Sequence, residues 1–336
     1  MEPTIANLAA IDAAGKHVVG WQGVRVIVPL DWEPGALSGG WDEGYFRIDE
    51  RLAPRLVVRW LPDESTKKLF ARASSRQAGI QQVAENYLDG LVRTHKKKRR
   101  KVEHRLTDRL LPRRQLDITP AAFFEWQLVG HNVYGVGFSG ECPHSGRILL
   151  CEMTGMSMAE TRDWALITLG TLRPYPESDD SVLWSAFGLR LALHKEWRLS
   201  GTSLLGGKVE FGFSRADGSK LTVQRWIASI ALGKGDLVAW AKKQLARDLK
   251  NEFRFRMERG LCRGHPAVLA EGTVRSAKER VTHSARRFVK IETPFHLVCR
   301  AWHCEPENKL FVVRAVCKES ERGFADEATA RFMCHI

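Results

Sequence analysis

The stretch Gly23-Val-Arg-Val-Ile-Val-Pro-Leu-Asp-Trp32 reappears as Gly188-Leu-Arg-Leu-Ala-Leu-His-Lys-Glu-Trp197. Gly, Arg and Trp keep their offsets, and apolar residues match apolar residues between them. The echo continues in Gly39-Gly40 against Gly206-Gly207 and in Arg59-Trp60 against Arg225-Trp226. It returns in Glu141-Cys142-Pro-His-Ser-Gly-Arg147-Ile148 against His303-Cys304-Glu-Pro-Glu-Asn-Lys309-Leu310. A period of about 160 residues exceeds a solenoid unit of about 20–50 residues and matches a whole domain. Two tandem homologous domains are therefore expected, over residues 14–176 and 177–336, joined by the turn-rich Pro174-Tyr-Pro-Glu-Ser-Asp-Asp180.

Within each half the pattern predicts strands, a helix, more strands and a closing helix. The opening strands, Val24–Val28 and Leu189–Leu193, alternate: Leu189, Leu191 and Leu193 face one way, Arg190 and Ala192 the other. Ala216-Asp217-Gly218-Ser219 reads as a hairpin turn between Val209–Ser214 and Lys220–Trp226. A helix is expected from Ser75, with Ile80, Val83, Tyr87 and Leu91 on one face. In the second half Asp236 reads as an N-cap before the stripe Leu237, Ala241, Leu245, Leu249, Phe253. Strands are expected at Gln115–Ile118, Phe123–Val129, Ala267–Val274 and Arg287–Glu292. Long hairpins follow, Val133–Cys142 with Arg147–Thr154 and Phe295–Cys304 with Lys309–Lys318, then helices Ala159–Leu172 and Ala325–Cys334. Hairpins joined in sequence imply antiparallel pairing, and helices set apart from runs of strands imply an α+β class, each domain an antiparallel sheet flanked by helices.

This layout, with an opening strand ending in Pro29-Leu-Asp-Trp32, resembles the PsbP-like family, which includes extrinsic photosystem proteins and a Ran-binding nuclear import factor. The second copy has His194 where the Pro would stand. The resemblance implies the fold and a binding or assembly role; it carries over no site residues.

Composition is that of an ordinary globular chain, 44% hydrophobic and 27% charged. Charge is the exception. With 52 Lys and Arg against 39 Asp and Glu, the formal net charge is +13, and most of the excess lies after residue 177. A basic balance favours acidic partners. The N-terminal residues lack the pattern of a signal peptide, and no run of 18 apolar residues occurs. Seven unevenly placed cysteines do not form a secreted disulfide framework. The expectation is an intracellular chain, cytoplasmic or, in a eukaryotic host, nuclear, with reduced thiols and no membrane contact.

The sharpest local feature is Lys96-Lys97-Lys98-Arg99-Arg100-Lys101, six consecutive cations that repel one another unless water or an anion separates them. The second copy turns basic at the place read as the matching helix end, with Arg247, Lys250, Arg254, Arg256, Arg259 and Arg263. Lys96 to Lys101 with Arg254, Arg256 and Arg259 form the candidate partner-binding set; the bland alternative is a solvated, dipole-compensating helix end. The eleven Trp residues fit core packing better than base stacking. Thiolate and imidazole are zinc ligands, yet strand alternation puts Cys299 and His303 on one face and Cys304 on the other, with Cys317 far down the hairpin. No metal and no cofactor are expected. Gly135-Val-Gly137-Phe-Ser-Gly140 matches a dinucleotide motif but leads into a strand, not the helix N-terminus a phosphate needs. No nucleophile elbow, zinc-protease helix or P-loop is present, so catalytic residues are unassigned. The expectation is a non-enzymatic binding or scaffold protein, a pseudo-dimer within one chain, offering cations to an acidic protein. Alternatives are a nucleic-acid-associated protein gripping phosphates non-specifically, and an enzyme whose residues are scattered in sequence.

Overall fold

A computed structural model describes residues 11, 14–61, 71, 73–107, 110, 116–176, 178, 180–233, 235–249, 252–274 and 295–334. The chain divides into two compact units, Met1–Phe187 and Gly188–Ile336.

The first unit runs β1 (Lys16–Trp21), β2 (Val24–Pro29), β3 (Trp32–Gly39), β4 (Gly44–Glu50), β5 (Ala53–Leu61), α1 (Arg76–Lys97), β6 (Val102–Thr107), β7 (Thr119–Leu128), β8 (Tyr134–Glu141), β9 (Ile148–Gly155), α2 (Met158–Leu169) and β10 (Ser181–Ala186). Seven strands form one antiparallel sheet in the order β3-β4-β5-β9-β8-β7-β6, and β1 lies between β2 and β10 in a smaller one. The β1–β2 turn is Gln22-Gly23 with φ of 54° and 76°. Two left-handed residues match the twist of the flanking strands, which is why Gly23 precedes the repeated stretch. Ser75 caps α1, its Oγ accepting from the Ala78 N–H at 3.1 Å. Ile80, Val83, Ala84 and Leu88 then recur at helical spacing and pack on Phe124, Trp126, Leu128, Ile148 and Leu150. Each large apolar side chain fully buried there contributes about 1.5–3 kcal/mol. On the opposite sheet face α2 sets Trp164 against Trp32, ring centroids 5.1 Å apart.

The second unit contains β11 (Leu189–His194), β12 (Arg198–Leu205), β13 (Lys208–Ser214), β14 (Lys220–Ile227), α3 (Ala228–Leu232), α4 (Leu237–Leu249), β15 (Phe253–Cys262), β16 (His265–Val274), β17 (Phe295–Cys304), β18 (Lys309–Lys318) and α5 (Phe324–Ala330). Its seven-stranded sheet has the order β12-β13-β14-β18-β17-β16-β15. Leu245 of α4 packs on Phe253, Ala270, Leu297, Cys299, Ala301 and Val312. From the other face Phe324 of α5 meets Trp197 at 5.5 Å, and Phe332 meets Trp302 at 5.1 Å.

The two sheets correspond strand for strand and, over their first strands, register for register. Ser38, Tyr45, Arg59 and Leu150 form one cross-sheet row. Ser203, Glu210, Gln224 and Val312 form the corresponding row. A bulge interrupts β3 between Pro34 and Ala36 and β12 between Leu199 and Gly201. The antiparallel sheets covered by helices are as the sequence pattern implies, but the chain is mostly β, with strand well in excess of helix, where an α+β class was expected.

Several boundaries differ from expectation. Strands β1 and β10 precede the two repeated stretches and were not anticipated, and β10 falls within the first compact unit. Phe253 is no part of the α4 stripe: that helix ends at Leu249, and Phe253 opens β15. Residues 116–118 precede β7 as a bend, while Gln115 and the strand expected at Arg287–Glu292 lie outside the described residues. No described helix is long and apolar enough to cross a membrane.

Candidate functional site: a basic helix end and a charged sheet edge

The cation run is built into a helix terminus. Lys96 and Lys97 close α1, Lys98 is its C-cap, and Arg99 takes the left-handed conformation at φ 57°. The Arg99 N–H donates to Lys96 O and the Arg100 N–H to His95 O, both at 3.0 Å. This is the Schellman pattern, which satisfies two orphan carbonyls and usually places Gly where Arg99 stands. Lys96 to Lys101 are all exposed. Lys101 pairs with Glu103 at 2.7 Å. Among the described residues no carboxylate pairs with Lys96, Lys97, Lys98, Arg99 or Arg100. The neighbouring His95 is held below its ordinary pKa, by burial first and then by Lys98, Arg100 and His131.

Several other cations of the first unit are matched, Arg47 by Asp49, Arg55 by Glu50 and Arg76 by Glu141 among them, whereas no described carboxylate pairs with Lys16, Arg51 or Arg93. A cleft of about 300 Å³ beside edge strand β6 is lined by Glu103, Arg105, Glu125, Gln127, Met158 and Arg162, among others. Buried Glu125 accepts from Arg105 at 2.8 Å and pairs with Arg162 at 2.6 Å. Under α1 a second carboxyl, Glu152, accepts from Tyr87 Oη at 2.5 Å and Trp126 Nε1 at 3.0 Å. Burial pushes Glu152 above the usual carboxylate range, against the opposing pull of Tyr87, Trp126 and Arg59. Arg59 lies against the rings of Tyr45 and Tyr87, 5.3 and 5.8 Å from their centroids.

Arg254, Arg256 and Arg259 are not at a helix end. They lie in β15, the edge strand of the second sheet, all three exposed, with Arg254 and Arg256 alternating with Phe253, Phe255 and Met257. Arg256 stands opposite Glu271 in the register. Charge on an edge strand discourages pairing with foreign strands, which gives these residues a role in the fold itself. The candidate set thus divides between the two units, and the structure gathers only Lys96 to Lys101 into one continuous patch.

No Trp is exposed: Trp21, Trp32, Trp60, Trp126, Trp184, Trp197 and Trp302 are buried, the other four half-buried. No exposed indole therefore offers a stacking platform for nucleic-acid bases beside the cations. The Gly135–Gly140 motif is strand β8. A Cβ on Gly135 would come 2.1 Å from Trp126 Nε1, so this glycine lets an indole lie on the backbone.

All seven cysteines are buried thiols. Cys299 and Cys304 occupy opposite faces of β17, and Cys317 pairs in register with His296 at the far end of the hairpin, as alternation predicts. What that alternation misses is a convergence of Cys304 with Cys334, beyond α5, and His265, at the start of β16. Their Sγ and ring-nitrogen atoms lie within 4.8 Å of one another. Cys334 Sγ is 3.4 Å from His265 Nε2, and the Cys304 thiol donates toward the Cys334 carbonyl at 3.8 Å. The local sequence signal was Cys262-Arg-Gly-His265, whose two central residues turn at φ 55° and 81°.

No family model and no curated protein matches this chain. Among solved structures, PA94 from Pseudomonas aeruginosa, a protein of unknown function, is similar with a TM-score of 0.24 and 14% identity, over 44% of this chain and 90% of that one. The type VI secretion (T6SS) immunity protein TplEi of Pseudomonas aeruginosa, solved with an "L" peptide, gives a TM-score of 0.31 and 10% identity, over 91% and 88%. At these scores the likeness carries no functional weight.

Proposed function

We propose that the chain is a non-enzymatic binding or scaffold protein, made of two diverged PsbP-like copies acting as an internal pseudo-dimer, whose first copy offers the Lys96–Lys101 helix end to an acidic protein partner. The observation that carries this reading is the run of Lys96 to Arg100, five consecutive exposed cations unmatched by any described carboxylate, where Arg105 and Arg162 share Glu125. An ordered cap presenting five unmatched cations is pre-organised for an anionic surface, because little backbone entropy remains to be lost on contact. Equal strand order and equal bulge positions support common descent of the two units. That no Trp is exposed favours an acidic protein over single-stranded nucleic acid.

The test is binding of the full chain to a co-purified acidic partner, before and after Lys96, Lys97, Lys98 and Arg100 are changed to Gln and Arg99 to Gly. Gly suits the left-handed position, where an L-residue costs about 1–2 kcal/mol, so this variant keeps its cap. Affinity is expected to fall at least tenfold. Unchanged affinity refutes the proposal. Binding of RNA or DNA instead, weakening log-linearly with salt, would favour the phosphate-gripping alternative.

A further inference from the structure

We propose that His265, Cys304 and Cys334 form a binding site for a thiophilic divalent cation of the zinc class, with Cys262 as fourth ligand. The three groups come from separate elements: the start of β16, the end of β17 and the segment after α5. They meet within 4.8 Å. Around a tetrahedral zinc with Zn–S of about 2.3 Å and Zn–N of about 2.0–2.1 Å, a sulfur and a nitrogen ligand stand about 3.6 Å apart. The Cys334 Sγ to His265 Nε2 distance is 3.4 Å. Cys304 and Cys334 are buried and His265 half-buried, so the site is shielded as structural centres are. Cys262 is also buried and lies across the two-residue turn from His265, its register partner. It is an even-numbered residue of β15, on the sheet face opposite Phe253, Phe255 and Met257, which lie on the α4 side with Cys299. Cys304 shares that opposite face. A knuckle carrying two ligands, with the others from distant chain, is an economical way to pin the C-terminal segment to the sheet. On ligation each thiol gives up its proton to solvent, and His265 binds as neutral imidazole.

The test uses the full chain purified under a metal-free reductant, with elemental analysis after zinc loading and dialysis, and the visible spectrum after cobalt loading. One metal per chain is expected, with a tetrahedral, thiolate-ligated cobalt spectrum. Cys334→Ser and His265→Ala should each lose it, whereas Cys299→Ser and Cys317→Ser should retain it. Cys334→Ser alters one atom, and circular dichroism will establish that it folds. Sub-stoichiometric metal in the wild type, or an unaltered spectrum in Cys334→Ser, overturns the site. An unaltered spectrum in Cys262→Ser overturns the fourth ligand. A Cys304–Cys334 disulfide in protein purified without reductant, with no metal bound after its reduction, also overturns it.

Discussion

Replacing Gly135 by Ala separates two accounts of the Gly-rich segment. If Gly135-Val-Gly137-Phe-Ser-Gly140 served a dinucleotide, Gly135→Ala would leave folding intact and abolish a ligand interaction. The geometry demands the opposite. The added methyl would lie 2.1 Å from Trp126 Nε1 and 2.2 Å from Cε2, more than an ångström inside ordinary contact. Either the β7 and β8 backbones separate or the indole swings away. Such overpacking costs about 1–3 kcal/mol. Swinging the indole also breaks its 3.0 Å hydrogen bond to Glu152 and leaves a buried donor without an acceptor, adding about 1–3 kcal/mol. A total loss of about 2–6 kcal/mol is expected, measured by urea unfolding followed through tryptophan fluorescence. Gly40→Ala serves as control, since a Cβ there meets no heavy atom within 4 Å, and should stay within about 0.5 kcal/mol of wild type. A Gly135→Ala midpoint equal to that of the control would refute the packing argument.

Two further predictions follow from the same unit. Burial raises Glu152, so its neutral form suits the fold; the stability it contributes is complete below the unfolded value of about 4.3 and is lost as pH rises through its folded value. Glu152→Gln, whose amide oxygen can accept from both Tyr87 and Trp126, should gain on wild type in unfolding free energy as pH increases from 4 to about 8; a pH-independent difference would contradict this. Ser75→Ala removes the only side-chain cap described for α1 and should cost about 1 kcal/mol in a thermal or urea melt, whereas Ser75→Asp should restore it.

Much of the sheet architecture was legible because its signals are local. The β8–β9 and β17–β18 hairpins alternate cleanly and are closed by turn residues; Ser75 and Asp236 announce their helices, Asp236 Oδ1 accepting from the Ala239 N–H at 2.7 Å. Edge strands were lost for a physical reason. Glu103, His104, Arg105 and Leu106 in β6 are exposed on both faces, so period-two patterning disappears, and the preceding cations look like a loop. Strand β15 was hidden likewise, its Arg254, Arg256, Glu258 and Arg259 resembling a continuation of the helix end. The thiol cluster lay further out of reach. Its members are distant in sequence, and only Cys262-Arg-Gly-His265 leaves a local trace.

The internal repeat misled in two places: Gly39, opposite Gly44, corresponds to Leu204, opposite Val209, and not to Gly206, and a strand pair misaligns likewise. Arg59-Trp60 and Arg225-Trp226 look equivalent, yet the rows through Leu150 and Val312 align Arg59 with Gln224 and Trp60 with Arg225. A one-residue shift in a strand exchanges its faces. Trp60 is fully buried on the side away from α1, whereas Trp226 is half-buried and packs on Trp240 of α4, 5.7 Å between centroids. Trp32 and Trp197 are a true pair, each under the closing helix of its unit. Correct alignment exposes a real divergence beneath the long helices. Tyr45, Arg59 and Glu152 in the first unit correspond to Glu210, Gln224 and Arg314 in the second. A cation, Arg314, stands where the first unit has the anion Glu152, and Gln224 donates to Glu210 at 2.6 Å where Arg59 lies against Tyr45. The cation cap on α1 belongs to the first unit and the thiol–imidazole cluster to the second.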